Sequence, residues 1–203
     1  VRKDKARVRV VGNGAGAAGI AVARLLHRYG FRDIVLCDSR GVVSKKRKDL
    51  SVVKKEMLTI TNKKNFSGTL ADVLSGADVF IGLSKGGLLA ASDVRTMAEE
   101  AIVFAMANPV PEIMPDDARR GGAAVVASGR SDFPNQINIS LVFPGVFRGL
   151  LYARAKKITE RMKIAAAEAL ARLVKKPTEH NIVPGMFDKR VVRAVAEAVG
   201  RSV

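Results

Sequence analysis

The stretch from Val10 to Gly19, Val-Val-Gly-Asn-Gly-Ala-Gly-Ala-Ala-Gly, constrains this chain more than any other. A short β-branched run over residues 8–11 leads into glycines at 14, 16 and 19, the spacing G-x-G-x-x-G. From Gly16 to Tyr29 the apolar period becomes helical, with Ala18, Val22, Leu25, Leu26 and Tyr29 predicted on one face and Gly30 where a helix stop belongs. Each glycine has a mechanical reason in a strand–loop–helix unit. Gly14 permits the tight turn, Gly16 lets main chain approach a pyrophosphate, and Gly19 lets the helix pack closely. Amides at the helix start, around Ala17 and Ala18, then face the phosphates with the positive end of the helix dipole behind them.

A second strand over residues 34–37 ends at Asp38, 19 positions past Gly19. An acid at about that distance fits the ribose hydroxyls of a dinucleotide. It favours NAD: a 2′-phosphate about 4 Å from one carboxylate charge meets a repulsion of about 4 kcal/mol at an effective dielectric near 20. Arg40, Lys45, Lys46 and Arg47 follow closely enough to offset that repulsion, which leaves NADP open. Ser39 and Arg40 join the candidate cofactor-binding residues.

Further strands are predicted at 77–83, 102–106 and 123–127, alternating with helices near 51–58 and from Ser92. Near-continuous apolar strands separated by helices are the pattern of a parallel sheet covered on both faces, so the fold class is α/β, doubly wound and Rossmann-type. The last third reads differently. A long helix is predicted over 153–176, then a connector, then a final helix capped by Asp188. The domain reading is a dinucleotide-binding domain over 1–150 and a helical extension over 151–203.

Charge and cysteine usage narrow the function classes. The 203 residues carry 35 Lys and Arg against 19 Asp and Glu, a net charge of +16. That balance invites a nucleic-acid reading. No aromatic lies within the 45–48 basic run and no helix-turn-helix, zinc-finger or RNA-recognition signature appears, so a solvated basic face is the preferred reading. The single cysteine, Cys37, excludes an intramolecular disulfide framework and reads as a small core residue. His27 and His180 lack ligand spacing and read as surface residues. No apolar run approaches the roughly 20 residues of a spanning helix, and the N-terminal residues do not read as a secretory signal. The expectation is a soluble, cytoplasmic protein without a membrane partner.

Several longer strings resemble the cofactor domain of malic enzymes, the decarboxylating malate oxidoreductases. They are Gly14-Ala-Gly-Ala-Ala-Gly-Ile20, Leu36-Cys-Asp-Ser-Arg-Gly41, Ala77-Asp-Val-Phe-Ile-Gly-Leu-Ser84 and Ala107-Asn-Pro-Val-Pro-Glu-Ile113. Ser128-Gly-Arg-Ser-Asp-Phe-Pro-Asn-Gln136, Phe143-Pro-Gly-Val-Phe-Arg-Gly149, Phe187-Asp-Lys-Arg-Val191 and Ala194-Val-Ala-Glu-Ala-Val199 continue the match in order. The resemblance implies hydride transfer from malate to NAD(P), then loss of CO2 to give pyruvate, with Mg or Mn in the full-length enzyme. It implies that Ser84 lines the cofactor cleft, Asn108 lies near both cofactor and substrate, and Asn138 touches the dicarboxylate. From the residues alone, Asn108 reads equally as a turn residue before Pro109 and Asn138 as a helix cap.

The chain departs from the family in places. Ile139 follows Asn138 where the family commonly has a second asparagine, Lys85-Gly-Gly87 replaces a loop that usually holds a proline, and Lys46 stands where glycine is frequent. The family's acid/base Tyr and Lys and its acidic metal ligands belong to an N-terminal domain, and Tyr29 and Tyr152 do not match that tyrosine. The expectation is a truncated, cleaved or split form, a homo-oligomer when full length, that holds dinucleotide without catalytic or metal residues of its own. The alternative is a stand-alone dinucleotide-binding module.

Overall fold

The computed structural model describes residue 1 and residues 3–203, which divide into two compact units, Val1–Gly129 and Arg130–Val203. The first is built on six strands: β1 (Arg9–Asn13), β2 (Asp33–Asp38), β3 (Gly41–Val42), β4 (Val79–Gly82), β5 (Ile102–Ala105) and β6 (Val125–Ser128). Five helices connect them: α1 (Ala17–Tyr29), α2 (Val52–Met57), α3 (Leu70–Leu74), α4 (Ala91–Arg95) and α5 (Pro115–Arg120). The sheet order is β3-β2-β1-β4-β5-β6, parallel except for β3, which runs antiparallel to β2.

Register explains why the strands are apolar at nearly every position. Val11 lies between Val35 and Phe80, and Phe80 pairs onward with Val103 and Val103 with Val126. That row is buried on one face with Leu74, Val94 and Ala118 of α3, α4 and α5. The alternate row, Val10, Ile34 and Val79, is buried on the other face with Ala23 of α1 and Met57 of α2. Helices cover both faces, so neither row of side chains faces water, which is the doubly wound arrangement. Where the order reverses, between β1 and β4, the connections lead away to opposite sides and leave a crevice beyond the strands' C-terminal ends.

Helix ends follow local chemistry. Gly30 has φ 114°, and its amide donates to the Leu26 and His27 carbonyls, closing α1. Ser92 lies inside α4; the helix is opened by the Asp93 side chain, whose Oδ2 accepts the Ala90 amide at 2.8 Å. The buried face of α1 is also rotated from the predicted stripe. Gly19 and Ala23 point inward, whereas Ala18 is exposed and Tyr29, 40% exposed, carries the Lys5 ammonium over its ring. The smallest residues face in because the helix must approach the sheet closely.

The second unit holds a short 3-10 turn (Ile139–Leu141), α6 (Phe143–Tyr152), α7 (Glu160–Arg172) and α8 (Arg190–Gly200). Leu150, Met162, Ala166, Val191, Val195 and Val199 form its core. The division at Gly129 and Arg130 differs from the sequence reading, which ended the first domain at 150. Gly145 and Gly149 of α6 lie against Val195 and Val199 of α8, which ties residues 130–150 to the terminal helices. The single helix expected over 153–176 is likewise shorter. Arg154 takes φ 49° after α6, and α7 begins afresh at Thr159, whose Oγ1 accepts the Met162 amide. Asp188 makes its capping contact, accepting the Arg190 amide at 3.0 Å, from one position before the N-cap.

Candidate functional site

The β1–α1 loop is shaped by what its glycines exclude. Gly14 has φ 122°, and a Cβ there would lie 2.5 Å from the Leu83 carbonyl oxygen. Its own amide donates to the Cys37 carbonyl at 2.9 Å, tying the loop to the end of β2. A Cβ at Gly19 would overlap the Gly14 carbonyl oxygen, so the close approach this glycine permits is to the loop itself. At Gly16 a Cβ would meet nothing within 4 Å. That space lies at the N-cap of α1, where no side chain caps the helix. The amides of Ala17, Ala18 and Gly19 therefore occupy first-turn positions that lack an intrahelical acceptor. An oxyanion is the natural complement of uncapped amides at the positive end of a helix.

This space opens into a cleft of about 840 Å³ lined by Asn13, Gly14, Ala15, Gly16, Asp38, Ser39, Arg40, Gly41, Lys54, Thr69, Leu70, Ser84, Lys85 and Leu88. The sequence-predicted Gly14, Gly16, Asp38, Ser39, Arg40 and Ser84 thus share one cleft, with Ala17, Ala18 and Gly19 continuing into α1. Asn108 is exposed after the end of β5 and is not among the residues lining that cleft. Asn138 belongs to the second unit, where its Oδ1 accepts the Ser140 amide at 3.0 Å and hydroxyl at 2.8 Å and so caps the 3-10 turn.

Asp38 is the most strongly held group in the cleft. Its Oδ1 accepts the Arg40 amide at 2.9 Å and Arg47 Nη1 at 2.7 Å, and its Oδ2 accepts Lys54 Nζ at 2.5 Å. Burial by itself would raise the carboxyl, but the bonds from Arg47, Lys54 and the Arg40 amide prevail and hold it at about 2. The Arg40 guanidinium turns to Asp49, and Lys45 and Lys46 are exposed. The counter-charges of Asp38 are therefore Arg47, which sequence reading anticipated, and Lys54, which it did not.

Sequence reading also missed Asn13, whose Nδ2 donates to Ser84 Oγ at 3.0 Å across the β1/β4 crevice. Its one sequence signal is its place between the strand and the first motif glycine. Lys54, 16 positions past Asp38, carried no signal beyond membership of a basic stretch. Cys37 is fully buried, and burial together with the neighbouring Asp38 charge pushes its thiol up to about 12, as befits an inert core residue. His27 is half-buried, not at the surface as expected, because α1 turns that side partly inward; His180 is exposed.

A nucleotide-sized cleft at the switch point, a reserved space above an uncapped helix start and an acid ending β2 together define a dinucleotide-binding domain of the doubly wound class. Residues 3–203 match the family model for the malic enzyme NAD-binding domain, and the chain belongs to that family. It is 53% identical over 203 residues to a bifunctional malic/malolactic enzyme of Bacillus subtilis, covering 98% of this chain and 50% of that protein. It is 43% identical over 220 residues to an NADP-dependent malic enzyme of Rhizobium meliloti, covering 98% of this chain and 28% of that protein. The crystal structure of an NAD-dependent malic enzyme from Thermotoga maritima superposes with a TM-score of 0.95 at 41% identity, covering 99% of this chain and 53% of that one. The chain spans half or less of the length of the two curated relatives.

Among the described residues no group of three or more His, Cys, Asp or Glu side chains is placed so that it could hold a metal ion. No helix among the described residues is long and apolar enough to cross a membrane.

Proposed function

We propose that this chain is the cofactor-holding part of a malic enzyme that converts malate to pyruvate and CO2 with hydride transfer to NAD or NADP. Bound dinucleotide supplies the hydride acceptor. The chain's own residues bind and orient it: first-turn amides of α1 take the pyrophosphate over Gly16, and Asp38, with Ser39 and Arg40 beside it, takes the adenosine ribose. Ser84 lines the nicotinamide side, and Asn108, just past the end of β5, serves the dicarboxylate. The observation that carries this reading is the reserved space over Gly16 beside an uncapped α1 in a chain of this family.

In this reading the acid/base pair and the ligands for Mg or Mn belong to the remaining part of the longer enzyme, which assembles as a homo-oligomer. Malate and pyruvate are its small-molecule partners; neither nucleic acid nor membrane is one. A single, buried cysteine suits a reducing compartment, so the cytoplasm is the proposed location. The chain alone is expected to bind NADH and to form none from malate and NAD with Mn present. An absorbance assay at the NADH band decides: turnover by the 203-residue chain would contradict the assignment of the acid/base groups elsewhere.

A further inference from the structure

Glu112 is a fully buried carboxyl that the sequence reading assigned no role. Burying such a group is costly unless hydrogen bonds satisfy it. Its Oε1 accepts the Ser84 amide at 3.1 Å and its Oε2 accepts the Ala107 amide at 3.0 Å. One side chain therefore joins the segment leaving β4 to the segment leaving β5. Its backbone adds a third tie, because the Glu112 carbonyl accepts the Leu89 amide at 3.0 Å. Room for the carboxyl is provided by Gly82, where any Cβ would overlap it. Ser84, so fixed, accepts Asn13 Nδ2 at 3.0 Å and lines the cleft.

We infer that Glu112 is a positioning residue for the nicotinamide half of the dinucleotide, acting through Ser84 with the Ala107 amide as its second anchor. The inference rests on the cleft being the dinucleotide site. In that site the switch point splits the ligand: the adenosine ribose goes to the β2 side, where Asp38 ends the strand, and the other half goes toward β4 and β5. Glu112 clamps only the β4/β5 side, and the Asp38 contacts do not involve it.

Glu112→Gln tests this at constant shape. The amide offers one acceptor and one donor, so either the Ser84 or the Ala107 N–H must confront another donor. Calorimetric titrations of wild type and variant with NADH and with ADP-ribose, which lacks only the nicotinamide, separate the two halves. NADH affinity is expected to fall about tenfold, which corresponds to about 1.4 kcal/mol, while ADP-ribose affinity holds. Equal weakening of both ligands, or of neither, overturns the positioning role. A wild-type chain that binds neither ligand overturns the reading of the cleft itself and this inference with it. Should the variant not fold, amide hydrogen exchange on the unaltered chain decides. Exchange at Ser84 and Ala107 slows with NADH and not with ADP-ribose if Glu112 serves the nicotinamide half; an equal response to both overturns it.

Discussion

At Gly16, in the first unit, an added methyl group would meet nothing within 4 Å, whereas at Gly149, in the second, it would lie 2.6 Å from the Ala196 carbonyl oxygen and 2.9 Å from Val199 Cβ. Both residues are glycines at or in a helix, and both lie in stretches that resemble the same family. One leaves a space empty above an uncapped helix start. The other removes a side chain so that two helices of the unit can touch. Absence of a side chain therefore leaves open space at a helix start in one unit and makes a packing contact in the other, and only the surroundings distinguish them.

The same substitution at both positions separates these uses. Gly149→Val is expected to have the largest effect on stability, about 3 kcal/mol from overpacking against the α8 backbone, with little room to relax. For a chain of this size that lowers the melting temperature by about 6–12 °C, readable by circular dichroism. A melt unchanged within a degree would show that α6 and α8 are not closely packed. Gly16→Val should instead leave the melt within about 2 °C, since the extended φ of −90° suits valine and only the N-cap preference is lost. Its NADH affinity should fall roughly 100-fold or more, about 2.7 kcal/mol. Retained affinity would mean that the space above Gly16 is not where the pyrophosphate lies.

Much of the first unit was legible because period and punctuation agreed. Val8 to Gly30 combines a β-branched run, three glycines at fixed spacing, a helical period and a glycine stop, and β1, the loop, α1 and the αL Gly30 follow that order. The short antiparallel β3 was not legible: two residues carry no period, and Gly41 is placed there by its φ of 96° beside the Gly68 carbonyl. The Asp38 cluster was half legible. An acid at the end of the second strand follows from spacing, but the choice of Lys54 over Lys45 or Lys46 depends on how residues 43–51 bring α2 back to the end of β2. Glu112 was invisible for a related reason. A single acid near two prolines reads as a turn residue, and only the register of β4 on β5 places two amides around it.

Two smaller effects sharpen the contrast from the adenosine side. Asp38→Ala should shift the ratio of NAD to NADP affinity toward NADP by about tenfold, about 1.4 kcal/mol. That is less than the bare repulsion of about 4 kcal/mol, because Arg47 and Lys54 already neutralise the carboxylate. Parallel titrations with the two dinucleotides check it, and an unchanged ratio would remove Asp38 from the ribose site. The smallest effect is on pH dependence. The Asp38 carboxyl is held at about 2, below its ordinary 3.8, so its stabilising contribution is present above about pH 4 and lost as pH falls toward 2. Solvent screening limits it to about 1 kcal/mol. Urea melts of wild type and Asp38→Asn at pH 5 and pH 3 should converge by part of that amount at the lower pH; a constant gap would show that these ion pairs do not stabilise the fold.

Calorimetric titration of the 203-residue chain with NADH tests the central claim most directly, with Gly16→Val run beside it. One NADH bound per wild-type chain, and binding roughly 100-fold weaker or more in a variant that melts within about 2 °C of it, is the predicted result. Equal binding by both proteins, or none by either when both are folded, would contradict the account of the β1–α1 loop as the pyrophosphate seat.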